Sequence, residues 1–151
     1  MRRPRDSQRS KLYGWERAEL KTGRLVDDRD NVPLGEKGAQ RLVREIWYAY
    51  CPELGDAPLV RVMGNRGRGV AFPHLIKLSS SYATTQTRWY VIHELTHSII
   101  ARRTSYPAIE PAAHGPEFCA LYANLLHRFS SADRPLVVGT MRGARLKVGK
   151  I

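Results

Sequence analysis

The sequence predicts an α+β fold: a small, mainly antiparallel sheet packed on a central helix, with two further helices covering the core. Three observations lead there. Apolar residues recur at helical spacing in three separate stretches. Between the first and second of these stretches lie short apolar runs separated by glycines, the pattern of strands and turns. The chain's 151 residues suit one domain with one core, burying about two-thirds of the surface of the unfolded chain.

Residues 1–33 read as a basic N-terminal segment. Arg2, Arg3, Arg5, Arg9, Arg17, Arg24 and Arg29 are diluted by acids that include Asp6 and Glu16. Its first ten residues are expected to be disordered. Leu12, Tyr13, Trp15 and Leu20 could dock a short helix or strand. The core is expected over 34–132. Its first helix runs from Gly35 to Tyr50, with Ala39, Leu42, Val43, Ile46, Trp47 and Tyr50 on one stripe and Pro52 and Gly55 ending it.

Leu59 to Met63 and Val70 to Phe72 read as a hairpin around Gly64–Gly69. His74 to Leu78 is a third strand, with Ile76 and Leu78 facing one way. The glycine string lacks the lysine-serine ending of a phosphate loop. Thr84 or Thr85 can cap a helix from about Gln86 to Arg103. The apolar stripe of that helix, Trp89, Ile92, Leu95, Thr96, Ile99 and Ile100, is wide enough for a central, buried position. A proline-punctuated loop follows. The last core helix opens at Gly115-Pro116 and runs to Phe129. Residues 133–151 read as a basic tail, either adding a strand at Leu136 to Val138 or forming a mobile basic arm.

The net charge of +11 favours polyanionic partners, nucleic acid first and an anionic membrane surface second. No apolar run approaches the ~20 residues of a membrane span, and no apolar stretch after the basic start makes a secretory signal. Cys51 and Cys119 form no CxxC and read as reduced, half-buried thiols of a cytoplasmic protein. His74 and His127 read as surface histidines, the latter suited to a helix C-terminus.

The chemistry concentrates in His93-Glu94-Leu95-Thr96-His97. Residues four apart on a helix project from one face, so two imidazoles can reach one metal ion. Glu94 is turned by about 100° from His93. It is placed to take a proton from a metal-bound water and return it to a leaving group. This HExxH pattern is that of a zincin, a zinc-dependent hydrolase. A catalytic zinc needs a third protein ligand and an open position. His114, Glu117 and Glu110 compete for that role. His114 is preferred, because imidazole is the commoner zinc ligand and Gly115 lets the backbone pass close by. Glu117 would then sit in the first turn of the next helix, where a carboxylate suits the dipole, and it stands as the alternative ligand. Tyr82, Arg102, Arg103 and Tyr106 are candidates to stabilise the oxyanion.

The HExxH string, followed by His114-Gly115-Pro116-Glu117-Phe118-Cys119, resembles the SprT-like zinc metalloproteases. That group includes the Spartan proteases, which cut proteins crosslinked to DNA. The likeness covers about residues 35–129. It implies a zincin-like core in which His93, His97 and His114 bind Zn2+ and Glu94 is catalytic. Many of that group carry a cysteine zinc ribbon after the core. This chain has only Cys51 and Cys119, so a DNA-repair role does not come with the resemblance. The chain is also similar to small metallohydrolases of actinobacteria and their phages, which begin with a stretch like Arg5-Asp6-Ser7-Gln8-Arg9. That group implies a hydrolase without naming a substrate.

The expected function is a zinc metallopeptidase acting on a protein or peptide, in some settings near DNA. One alternative is a metallohydrolase of a non-protein amide. Another is a nucleic-acid-binding protein with a structural or vestigial metal site, resting on Arg66, Arg68, the N-terminal arginines and the basic tail. Aromatics are not clustered among these residues, which argues against sequence-specific reading.

Overall fold

A computed structural model describes residues 6–64, 67–104 and 113–150 of the chain. Among these residues it is a mixed α+β structure of five α-helices and a three-stranded sheet. Helix α1 (Arg9–Trp15) runs directly into a wider π-helical turn, Glu16–Lys21. Helix α2 spans Gly35–Tyr50, with Ala39, Leu42, Val43, Ile46 and Trp47 buried as the stripe predicts. Strands β1 (Leu59–Val62), β2 (Val70–Ala71) and β3 (Leu75–Leu78) follow. Helices α3 (Arg88–Arg103), α4 (Pro116–Phe129) and α5 (Arg134–Gly143) complete the chain.

The sheet corrects the expected hairpin and the mainly antiparallel arrangement. Its order is β1-β3-β2. β1 runs parallel to β3, from Leu59 opposite Leu75 to Val62 opposite Leu78. β2 pairs antiparallel on the other side of β3, Val70 opposite Lys77 and Ala71 opposite Ile76. β1 cannot also take β2, because α2 occupies its remaining edge. Gln40 Oε1 accepts from Val60 N at 2.8 Å and Glu36 Oε2 accepts from Val62 N at 2.9 Å. Side chains thus satisfy backbone donors that a hairpin partner would otherwise use. The faces of β3 are as the alternation predicts, with Ile76 and Leu78 buried.

The core extends beyond residues 34–132. Leu12, Trp15, Leu20 and Val26 join it from the N-terminal side, and Val137, Met141 and Leu146 from the C-terminal side. The disorder expected over the first ten residues is corrected from Asp6 onward: Gln8 is buried and α1 starts at Arg9. Residues 1–5 lie outside the described residues. The strand expected at Leu136 to Val138 is part of α5 instead. Pro135 in its first turn presets a helical φ, and Asp133 at the N-cap accepts from Leu136 N. The buried pair is Val137 and Met141, four apart, while Leu136 is exposed, which is helical rather than alternating burial.

α3 is the central element. Val91 to Thr96 are all buried, and the helix meets α2, α4, β2 and β3. Its N-cap is Thr87, after a short 3-10 turn. The expected caps do other work, Thr85 Oγ1 tying Ser79 and Tyr82 together. Among the described residues, no helix is long and apolar enough to cross a membrane.

Candidate metal centre

α3 and the turn before α4 bring three imidazoles together. His93 and His97 lie one turn apart on α3, and His114 precedes the Gly115 N-cap of α4. Their ring centroids are 5.1 Å apart for His93–His97, 5.4 Å for His93–His114 and 4.7 Å for His97–His114. One ligand nitrogen from each lies within 4.8 Å of the others. Phe118 lies against all three rings, at centroid distances of 5.0, 4.5 and 5.1 Å from His93, His97 and His114. The phenylalanine of the His114–Phe118 string is therefore the apolar floor of the cluster as well as a core residue of α4.

The donor set fits a metal ion. His97 Nε2 and His114 Nε2 face each other at 3.1 Å. Two nitrogens this close require a proton or a cation between them. Nitrogens about 2.0–2.1 Å from one tetrahedral ion would sit roughly 3.3 Å apart, close to that separation. Burial holds the His97 imidazole well below its usual range, with the His93 and His114 charges adding to the effect. Burial also lowers His114, opposed by the hydrogen bond to Asp6. Neutral rings with free lone pairs are what a metal requires.

Carboxylates hold two of the rings from behind. Glu16 Oε2 lies 2.6 Å from His93 Nδ1 and also accepts from the Tyr122 hydroxyl at 2.8 Å. Asp6 Oδ2 lies 2.7 Å from His114 Nδ1. An acceptor at Nδ1 fixes the proton there and leaves Nε2 for the cluster. Burial pushes His93 down, but the charge and hydrogen bond of Glu16, with Glu94 behind them, raise it overall.

Glu94 is buried, with Oε1 3.9 Å from His93 Nε2. Burial pushes its carboxyl up to about 7, opposed by His93 and helped by Glu16. Gly69 brings the end of the β1–β2 connection against it; an added Cβ would lie 3.4 Å from Glu94 Cγ.

The four residues predicted from the two motifs thus converge, while Glu117, one competitor for the third ligand, does not join them. Glu117 is exposed in the first turn of α4, the position that suits its charge to the helix dipole. Glu110 and Tyr106 lie outside the described residues. The other oxyanion candidates serve elsewhere. Tyr82 takes a hydrogen bond from Lys21 at 3.1 Å. Arg102 stacks over Trp47 at 4.8 Å and donates to Asp56 O at 3.0 Å. Arg103 lies over Tyr50 at 5.2 Å. Two half-buried hydroxyl-bearing rings border the cluster: Tyr13, 5.4 Å from His114 and 6.0 Å from His93, and Tyr90, 5.9 Å from His93. His74 and His127 are exposed, as expected. Both cysteines are free and buried. Desolvation raises Cys51 to about 11 and Cys119 to about 12, which keeps both thiols protonated near neutral pH.

Sequence reasoning missed Asp6, Gln8, Tyr13, Glu16 and Tyr122 as site residues. The Arg5–Arg9 stretch flagged by similarity contained Asp6 and Gln8, although no role followed from it. Glu16 had no signal, being one acid among many charges. Compared with family models, curated proteins and solved structures, the chain matches none.

Proposed function

We propose that this chain is a zinc-dependent metallohydrolase, and that it hydrolyses peptide bonds in the manner of the SprT-like metalloproteases its motifs resemble. The observation that carries the reading is the convergence of His93, His97 and His114 within one ligand sphere, with Glu94 beside it. When bound, zinc supplies Lewis acidity that polarises a carbonyl and makes a water nucleophilic near neutral pH. The chain's own residues do the rest. His93, His97 and His114 are the residues that would hold the ion. Glu94, buried beside the ring of His93, takes the proton of the attacking water and passes it to the leaving amine. Phe118 and the surrounding apolar side chains keep bulk water from the rings.

Elemental analysis of the purified chain is expected to find one zinc per molecule. Glu94→Gln should keep the metal and lose hydrolysis by at least about a hundredfold, the weight of a general base. His97→Ala should lose the metal. A Glu94→Gln variant that cleaves as fast as the parent, or a His97→Ala variant with full zinc content, contradicts the assignment. Parallel assays on protein substrates, with and without DNA, and on small amides separate a peptidase from an amidase of other molecules.

One observation supports action near nucleic acid. Lys37, Arg41 and Arg44 of α2 and Arg61 of β1 line a single surface groove, with Glu36 as its acid. If phosphates seat there, affinity falls linearly with salt on logarithmic axes. A flat salt response removes this part of the reading.

A further inference from the structure

We propose that residues Asp6–Glu16 form a strap whose docking is thermodynamically coupled to metal binding, with Asp6 as the positioning residue that links them. The inference rests on the reading of the three histidines as metal ligands. Three contacts along the strap reach the cluster. Asp6 binds His114 Nδ1 at 2.7 Å, Glu16 binds His93 Nδ1 at 2.6 Å, and the Tyr13 ring lies between, against both imidazoles. A fourth contact locks the turn that carries His114. Gln8 Nε2 donates to His114 O at 2.8 Å and to Lys147 O at 3.3 Å, while Lys147 N donates to Gln8 Oε1 at 2.5 Å. The C-terminal stretch closes the same turn, Gly149 N donating to Pro116 O at 2.8 Å. His114 is thus held from its ring by Asp6 and from its backbone by Gln8, both on a segment more than a hundred residues away in sequence.

The coupling follows from charge. Asp6 Oδ2 faces His114 Nδ1 at 2.7 Å, and its other oxygen, Oδ1, is buried with no hydrogen-bond partner among the described residues. A cation held by His114 would make Nδ1–H a stronger donor and would bring positive charge to Asp6. Docking of the strap therefore favours the metal, and the metal favours docking by the same factor. Glu16 repeats the arrangement at His93. It sits where α1 widens into its π-helical turn, a distortion frequent at functional sites.

The test uses the full chain and Asp6→Asn. Asparagine keeps a carbonyl to accept from Nδ1–H and removes only the charge. Zinc affinity is measured by competition with a chromophoric chelator, and hydrogen exchange is followed at the amides of Arg9–Trp15. Asp6→Asn is expected to weaken zinc about ten- to a hundredfold, the range for partners of ligating histidines. In the parent, zinc should slow exchange across Arg9–Trp15, and in His97→Ala it should not. Asp6→Glu should recover part of the affinity. Zinc affinity of Asp6→Asn within about twofold of the parent, or exchange in the segment that ignores zinc, overturns the strap alone. A parent that binds no zinc overturns the reading of the centre and the strap with it.

Discussion

Gly69 sits where no side chain fits. A Cβ there would lie 2.9 Å from Tyr90 Cε1 and 3.2 Å from the Lys77 carbonyl oxygen, which β3 fixes in place. Tyr90 cannot swing aside freely, because its hydroxyl accepts from Gly69 N at 2.9 Å and its ring stacks near His93. Gly69→Ala is therefore expected to destabilise the fold by roughly 1–3 kcal/mol, the usual cost of overpacking. Urea unfolding followed by tryptophan fluorescence measures this; a loss below about 0.5 kcal/mol, the level of an ordinary surface change, means the loop yields. At this scale the legible residues are those whose partners are local. His93, Glu94 and His97 share one helical turn, and His114 follows in a short motif, so spacing alone identifies them. Asp6 and Glu16 reach their histidines across 108 and 77 residues. Nothing in their immediate neighbours distinguishes them from solvated acids, and only the fold brings them to the rings.

α5 shows how a local cap overrides a residue run that reads as a strand. Leu136-Val137-Val138 is rich in β-formers, yet Asp133, Pro135 and the four-residue spacing of Val137 and Met141 set a helix. Trp15 Nε1 then donates to Thr140 Oγ1 at 2.9 Å, joining α1 to α5. Asp133→Ala should cost about 1 kcal/mol through loss of the N-cap. Its effect should be read in urea midpoint with zinc affinity unchanged, since α5 touches no ligand; a tenfold loss of affinity, equal to about 1.4 kcal/mol, would show that α5 supports the centre directly. The sheet carries the same lesson in reverse. The alternation within β3 is local and legible. The strand order was not, because it depends on Gln40 and Glu36 of α2 reaching the edge of β1. A glycine-rich link between two short runs suggests a hairpin only when nothing else claims the strand edge.

At the scale of the molecule, segments from the two halves of the chain, Asp6–Gln8 and Lys147–Gly149, are bonded onto the turn that bears His114 or to each other beside it. The pieces that meet there are the N-terminal strap, α3, the α4 N-terminus and the stretch from Lys147 to Gly149. A ligand bound only by the folded state stabilises it by mass action. At free zinc a hundredfold above its dissociation constant, the gain is about 2.7 kcal/mol. For a chain of this size that raises the unfolding midpoint by roughly 5–10 °C. Stripping the metal with a chelator and scanning by calorimetry should therefore lower the midpoint by that amount, and restoring zinc should return it. His97→Ala, lacking one of the three clustered imidazoles, should show a midpoint insensitive to chelator. Equal midpoints for the parent with and without chelator would mean that no ion ties these elements together. The convergence of three imidazoles and two carboxylates would then be a hydrogen-bonded core alone.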